Sequence, residues 1–302
     1  MCYTKFVNLI MQKRESKLFD YLLLIISSFV NGIKSVYAKK SNQFLTETHN
    51  VYTYNFYMFL ISFLIMLVIG FSSLKSLNLT TFILGSLYAV FLVSAQVLLI
   101  KAMNHGGVSI SSLFYSCGFL IPLFISIIFL KEPISFVQIL GVILVIISFV
   151  IAVEQKEKAT VKWFVFAISA MICNGLVGFI QKVFKLTEYG ADQGGFMIIA
   201  FLVGAIITFF LMPKKEKSLP SKGFMKTVLV SGASLGVVNA LNVYIVGALP
   251  AVVVFPSVNG GGIIAASLLA RIFLKEKVST RKKFGILLGL VAICIIGIAQ
   301  NI

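Results

Sequence analysis

Two carboxylates sit in one phrase that the chain writes twice. "FLKEPISFVQILG" runs from Phe129 to Gly141 and "FLKEKVSTRKKFG" from Phe273 to Gly285, with Phe, Leu, Lys, Glu, Ser and Gly matching at an offset of 144. An acid at depth in a membrane is a proton carrier by default. Glu132 and Glu276, however, follow an apolar run and precede a turn, where the positive end of the next helix dipole favours a carboxylate. Pro133 cannot continue the preceding helix, and Ser135 with Gln138 has the spacing of a capping box. A structural turn is therefore expected at both. All ten acidic residues fall outside the apolar runs or at their ends. Proton exchange through a buried carboxylate is accordingly disfavoured. His49 and His105 fall in loops, so an intramembrane hydrolase or transferase lacks its acid, base or metal set. Cys2, Cys117, Cys173 and Cys294 have neither disulfide nor metal spacing. Neither enzymatic activity nor a cofactor is expected, and no GxxxxGK[ST] phosphate loop is present.

The better candidates are uncharged polar residues inside apolar runs, and they recur in pairs. Asn31 and Asn174 match at an offset of 143, Gln96 and Asn242 at 146, and Tyr115 and Asn259 at 144. An amide in hydrocarbon must find a partner, either on a neighbouring helix or on a solute. That corresponding runs each carry one near the middle points to a shared central cavity and a small-molecule substrate. Lys34 is the charge lying well inside a run, at a cost of roughly 2.5–3.5 kcal/mol at a helix centre. It either snorkels to the interface or faces the cavity. Lys39 and Lys182 lie nearer the run ends, where topology setting and headgroup contact are expected. The stretch "FPSVNGGG", Phe255 to Gly262, either frees backbone groups, which a membrane tolerates only inside protein or beside a wet cavity, or serves close helix packing, with Gly262, Ala266 and Ala270 four apart.

These residues need elements to hold them. The chain has 302 residues, 59% of them hydrophobic and 12% charged, far from soluble composition. Spans of roughly 20 apolar residues are expected for membrane helices, whereas barrel strands would alternate over about ten. Ten such runs are found, at 18–38, 51–71, 79–101, 107–130, 134–153, 163–184, 192–212, 224–246, 249–274 and 284–300. Residues 1–17 form a short basic tail, 18–153 a first five-helix repeat and 163–302 a second. The fold class expected is an all-α membrane protein. The net charge of +16 comes from short loops flanking these runs. It suits membrane lipid rather than nucleic acid.

Because five is odd, the second half enters the membrane from the opposite side, which makes two inverted five-helix repeats. Many secondary transporters are built so. Each half resembles the five-helix unit of the EamA-type branch of the drug/metabolite transporter superfamily. That unit carries Gly followed seven residues later by Lys in its first helix, here Gly32/Lys39 and Gly175/Lys182. It closes its fourth helix with Glu and places Gly nine residues on, here Glu132/Gly141 and Glu276/Gly285. Many relatives have Trp before the first-helix Gly, where this chain has Asn31 and Asn174. The resemblance implies a multi-pass carrier of the cell (inner) membrane with both termini in the cytoplasm; a homodimer is compatible with it. Loop charge disagrees on orientation, with eight cations on the side of the termini and seventeen on the other. The function expected is secondary transport of a small polar metabolite by alternating access. The alternatives are an exporter of cationic or amphipathic drugs and a non-transporting accessory membrane subunit.

Overall fold

A computed structural model describes residues 2–41, 44, 50–105, 108–152, 160–212, 221–273 and 279–299. Glu276 and His49, to which the sequence assigns a turn and a loop, lie outside the described residues, as do Glu47, Glu154, Glu157 and Glu216. The described residues form eleven α-helices: α1 (Cys2–Ser41), α2 (Asn50–Ile69), α3 (Leu79–His105), α4 (Val108–Cys117), α5 (Leu120–Phe129), α6 (Phe136–Ala152), α7 (Val161–Leu186), α8 (Gln193–Leu211), α9 (Lys222–Ala248), α10 (Ala251–Phe273) and α11 (Thr280–Ile298). A short 3-10 turn, Phe71–Ser76, joins α2 to α3. Eight spans are long and apolar enough to cross a membrane, with α4 and α5 joined as Ile110–Phe129. The 17-residue α6 is shorter, and α11 opens on Arg281, Lys282 and Lys283. Large apolar side chains such as Phe124, Ile128, Phe210 and Leu287 face outward, as lipid contact requires.

Helix starts follow local chemistry. The side chains of Asn78, Thr160, Asp192, Ser221 and Ser279 each accept from an amide three residues on, at 2.9 to 3.3 Å. At α6 the expected capping box closes both ways. The Ser135 amide donates to Gln138 Oε1 at 2.9 Å, and the Gln138 amide donates to Ser135 Oγ at 3.2 Å. Lys131, with φ 52, turns the chain between α5 and this box. Because α6 is capped by its own residues, Glu132 is left to serve elsewhere.

The irregular backbone falls in a different span from the one composition suggests. α10 runs unbroken through Pro256 and its three glycines. The break comes in the fourth span, at Gly118–Phe119, where α4 ends and α5 begins. Pro122 has no N–H for the Gly118 carbonyl, which accepts from Ile121 instead at 3.1 Å, a tighter turn.

Packing partners are exchanged between the halves. α1 packs along α9 and α10, while α7 packs along α3 and the α4–α5 pair. α2 lies on α8 and α9, α8 on α2 and α3, and α6 on α11. Swapping the first five elements (α4 and α5 taken as one) with the last five leaves this scheme unchanged. Individual contacts repeat in the same way. A Cβ on Gly32 would come within 2.6 Å of Ala265, and one on Gly175 within 2.6 Å of Ile121. Gly262 abuts Asn31 as Gly118 abuts Asn174. Gly141 meets Ala292 and Ile296, and Gly285 meets Ser148 and Ala152. Small residues of this kind let helix backbones approach where lipid gives no hydrophobic drive.

Candidate functional site

The seven polar residues singled out above, Asn31, Lys34, Gln96, Tyr115, Asn174, Asn242 and Asn259, are all half-buried. Apolar neighbours such as Ile33, Val97, Leu113 and Ile263 are half-buried as well, so exposure alone does not set the polar residues apart. Intermediate exposure within a span suits the wall of an internal cavity. The structure brings some of the seven together. Asn174 Nδ2 on α7 donates to the Tyr115 carbonyl at 3.0 Å, tying α7 to α4 just before the break. Asn31 presses on Gly262 of α10, one turn beyond Asn259. Asn259 Nδ2 donates within its own helix to the Phe255 carbonyl at 2.9 Å. Asn242 accepts from Ser27 Oγ of α1 at 2.6 Å, so this amide joins helices whatever else it does. Lys34 and Gln96 have no hydrogen bond or ion pair among the described residues. Lys34 lies one turn from Asn31 and two from Ser27, on the face of α1 turned toward α9 and α10.

A buried polar cluster was missed in the sequence. Tyr88 of α3 is wholly buried and its hydroxyl donates to Asn239 Oδ1 of α9 at 2.5 Å. Gln181 Nε2 of α7 donates to the same hydroxyl at 3.2 Å, and Asn239 Nδ2 donates back to the Leu235 carbonyl at 2.9 Å. Three helices are stitched at one point. Gln181 and Asn239 are amides inside apolar runs, so the rule that found the other amides could have found them. Neither matches its counterpart in the other half, so the pairing that singles out the other amides passes over them.

Lys182 corrects a second expectation. It is 7% exposed and does not reach a headgroup. Its ammonium pairs with Glu132 and donates to the Val246 carbonyl of α9 at 3.2 Å. Glu132 Oε2 in turn accepts from the Ala251 amide at 2.8 Å. The carboxylate therefore caps α10 rather than α6. The reason is local: α10 follows Leu249–Pro250, which offers no side-chain acceptor, so its first orphan amide takes one from the other half of the chain. The expectation about acidic residues needs one further amendment. Asp20, in the first apolar run, is 8% exposed with Oδ1 lacking a hydrogen bond among the described residues.

A separate cavity of about 270 Å³ lies between α3 and α8, lined by Val90, Val93, Ser94, Val97, Leu98, Ile207 and Leu211. Its wall is apolar apart from Ser94, and none of the seven residues contributes to it. It lacks the convergent polar groups that fix a polar solute. No cluster of three or more metal-binding side chains occurs among the described residues.

Comparison with known proteins accords with this architecture. The chain matches no curated protein. A solved crystal structure of a protein, 10% identical, superposes with a TM-score of 0.71 over 94% of this chain and 99% of that one, a likeness of fold. The sequence model of the EamA-like transporter family matches residues 18–153. The resemblance read from Gly32, Lys39, Glu132 and Gly141 is thereby borne out over residues 18–153: this part of the chain is similar to transporters of the drug/metabolite transporter superfamily, and the apolar spans accord with an integral multi-pass membrane protein.

Proposed function

We propose, from an EamA-like transporter match that spans the first half and contacts that repeat in the second, that this protein is a secondary carrier of a small polar metabolite. Ten helices form two inverted five-helix repeats around a central cavity, and the cavity opens alternately to either side of the cell (inner) membrane. The observation that carries this reading is the exchanged contact pattern. Gly32 on Ala265 and Gly175 on Ile121 are one contact made twice, with the roles of the halves reversed. Two such equivalent halves have two arrangements of equal kind, which is what alternating access needs.

The substrate site is formed by Asn31, Lys34, Gln96, Tyr115, Asn174, Asn242 and Asn259. Amides, one phenol and one ammonium recognise a neutral, zwitterionic or anionic solute carrying hydroxyl or carboxylate groups, such as an amino acid or sugar derivative. Uptake by purified protein in liposomes, offered a mixture of labelled metabolites, tests the reading. Saturable accumulation of one polar solute is expected. Liposomes indistinguishable from protein-free controls for every solute would overturn it in favour of an accessory membrane subunit.

A further inference from the structure

Among the described residues, the polar contacts that join the α1–α9–α10 group to the α3–α4–α5–α7 group fall in one half of the bundle. At that end the C-termini of α7 and α9, the N-terminus of α10 and the loop after α5 converge on Glu132 and Lys182. The Tyr88–Asn239–Gln181 cluster lies beside them, Gln181 being the neighbour of Lys182 in the chain. Phe255 of α10 also closes on Gly178 of α7 here. Among the described residues, the hydrogen bonds found at the opposite end lie within one group. There Thr160 before α7 donates to the His105 carbonyl at 3.1 Å, and Trp163 Nε1 donates to Ser111 Oγ at 2.9 Å.

A buried ion pair is a weak stability device. Desolvating both ions offsets most of their attraction, and an apolar pair of similar volume is often as stable or more so. What an ion pair adds is a contact that breaks and re-forms as a unit. This one has four members on four separate segments, and two of them are backbone groups at the α9–α10 link. Separating the α9–α10 link from α7 and the loop after α5 breaks both bonds that cross between the groups, Lys182 to the Val246 carbonyl and the Ala251 amide to Glu132, while the ion pair holds the two side chains in place to make them.

We propose that Glu132 and Lys182, with the Val246 carbonyl and the Ala251 amide, form a releasable latch that closes one end of the central cavity. The inference rests on the carrier reading above, but its test does not need a known substrate. In a background with the four native cysteines replaced, spin labels are placed through Leu186→Cys on α7 and Ala248→Cys on α9, both exposed beside the latch. The parent is expected to give a narrow, short inter-label distance.

Glu132→Gln and Lys182→Met should each broaden it toward longer values, by about 5 Å, the scale of one element slipping a turn past another. Either single variant strands one buried charge and is open to misfolding. The double variant Glu132→Gln/Lys182→Met removes both charges while Gln still accepts from the Ala251 amide, so it should elute as the parent does and show the longer distance. A parent-like distance in that folded double variant would overturn the latch and leave the pair as packing. Should the parent move no solute while the distances shift as expected, the carrier reading fails and the latch stands.

Discussion

Tyr115 and Asn259 occupy the same place in the two repeats, yet they are held differently. The Tyr115 backbone carbonyl is taken by Asn174, which leaves the phenol free of that bond, whereas Asn259 commits its amide nitrogen to Phe255 and keeps its oxygen. Each therefore retains one polar atom for a solute. Losing one such group costs about 1–3 kcal/mol, roughly five- to a hundred-fold in affinity. Tyr115→Phe and Asn259→Ala should weaken substrate binding in that range while the protein stays monodisperse in detergent. Ser72→Ala, at an exposed position in the 3-10 turn between α2 and α3, is the control. Parent-like binding by both variants would make these residues helix connectors rather than site walls. At this scale the sequence was informative about residue type and blind to partner. The capping role of Ser135 and Gln138 needed only neighbours three residues apart. The cap on Ala251 needed a neighbour 119 residues away, which no local pattern carries. Lys182 was misread for the same reason, its counter-ion being in the other half.

Helices were legible because continuous apolar runs leave few other structures in lipid, and the observed ends fall within a few residues of the runs for most elements. The exceptions are the first helix, which begins at Cys2 and takes in the expected tail, and the fourth span, which is broken. α10 stays regular through Pro256 and its three glycines, flanked along that stretch by Ser28 and Asn31, which fill the space the glycines leave. Gly118 lies close against α7, where a Cβ would meet the Met171 carbonyl and Asn174, and Asn174 holds the Tyr115 carbonyl just before the break. Close helix approach gives the prediction proper to this scale. Gly32→Ala and Gly175→Ala each insert a methyl against backbone or Cβ atoms within 2.6 to 2.8 Å, and overpacking of this kind costs about 1–3 kcal/mol. Thermal unfolding in detergent should show comparable losses for both, since they disturb the same contact. Gly297→Ala, with nothing within 4 Å, should leave the midpoint unchanged. A loss at one position only would break the equivalence of the halves.

For the molecule as a whole, the ion pair bears on orientation. Lys182 is withdrawn from the surface, so the side carrying the termini offers still fewer accessible cations than its eight against seventeen. Loop charge then expects the seventeen-cation side in the cytoplasm and the termini outside. A reporter fused after Ile302 that is active only in the cytoplasm would reverse this and bear out the orientation implied by the family resemblance. The borrowed cap on α10 also orders biosynthesis. Glu132 leaves the ribosome long before Lys182 and Ala251, so the first half inserts with its acid in water and waits. α10 arrives after Leu249–Pro250 with an open amide that its own half cannot satisfy. Two half-length chains made together should therefore reassemble, each supplying what the other lacks, whereas the second half made alone should be recognised by the cell's quality control and degraded.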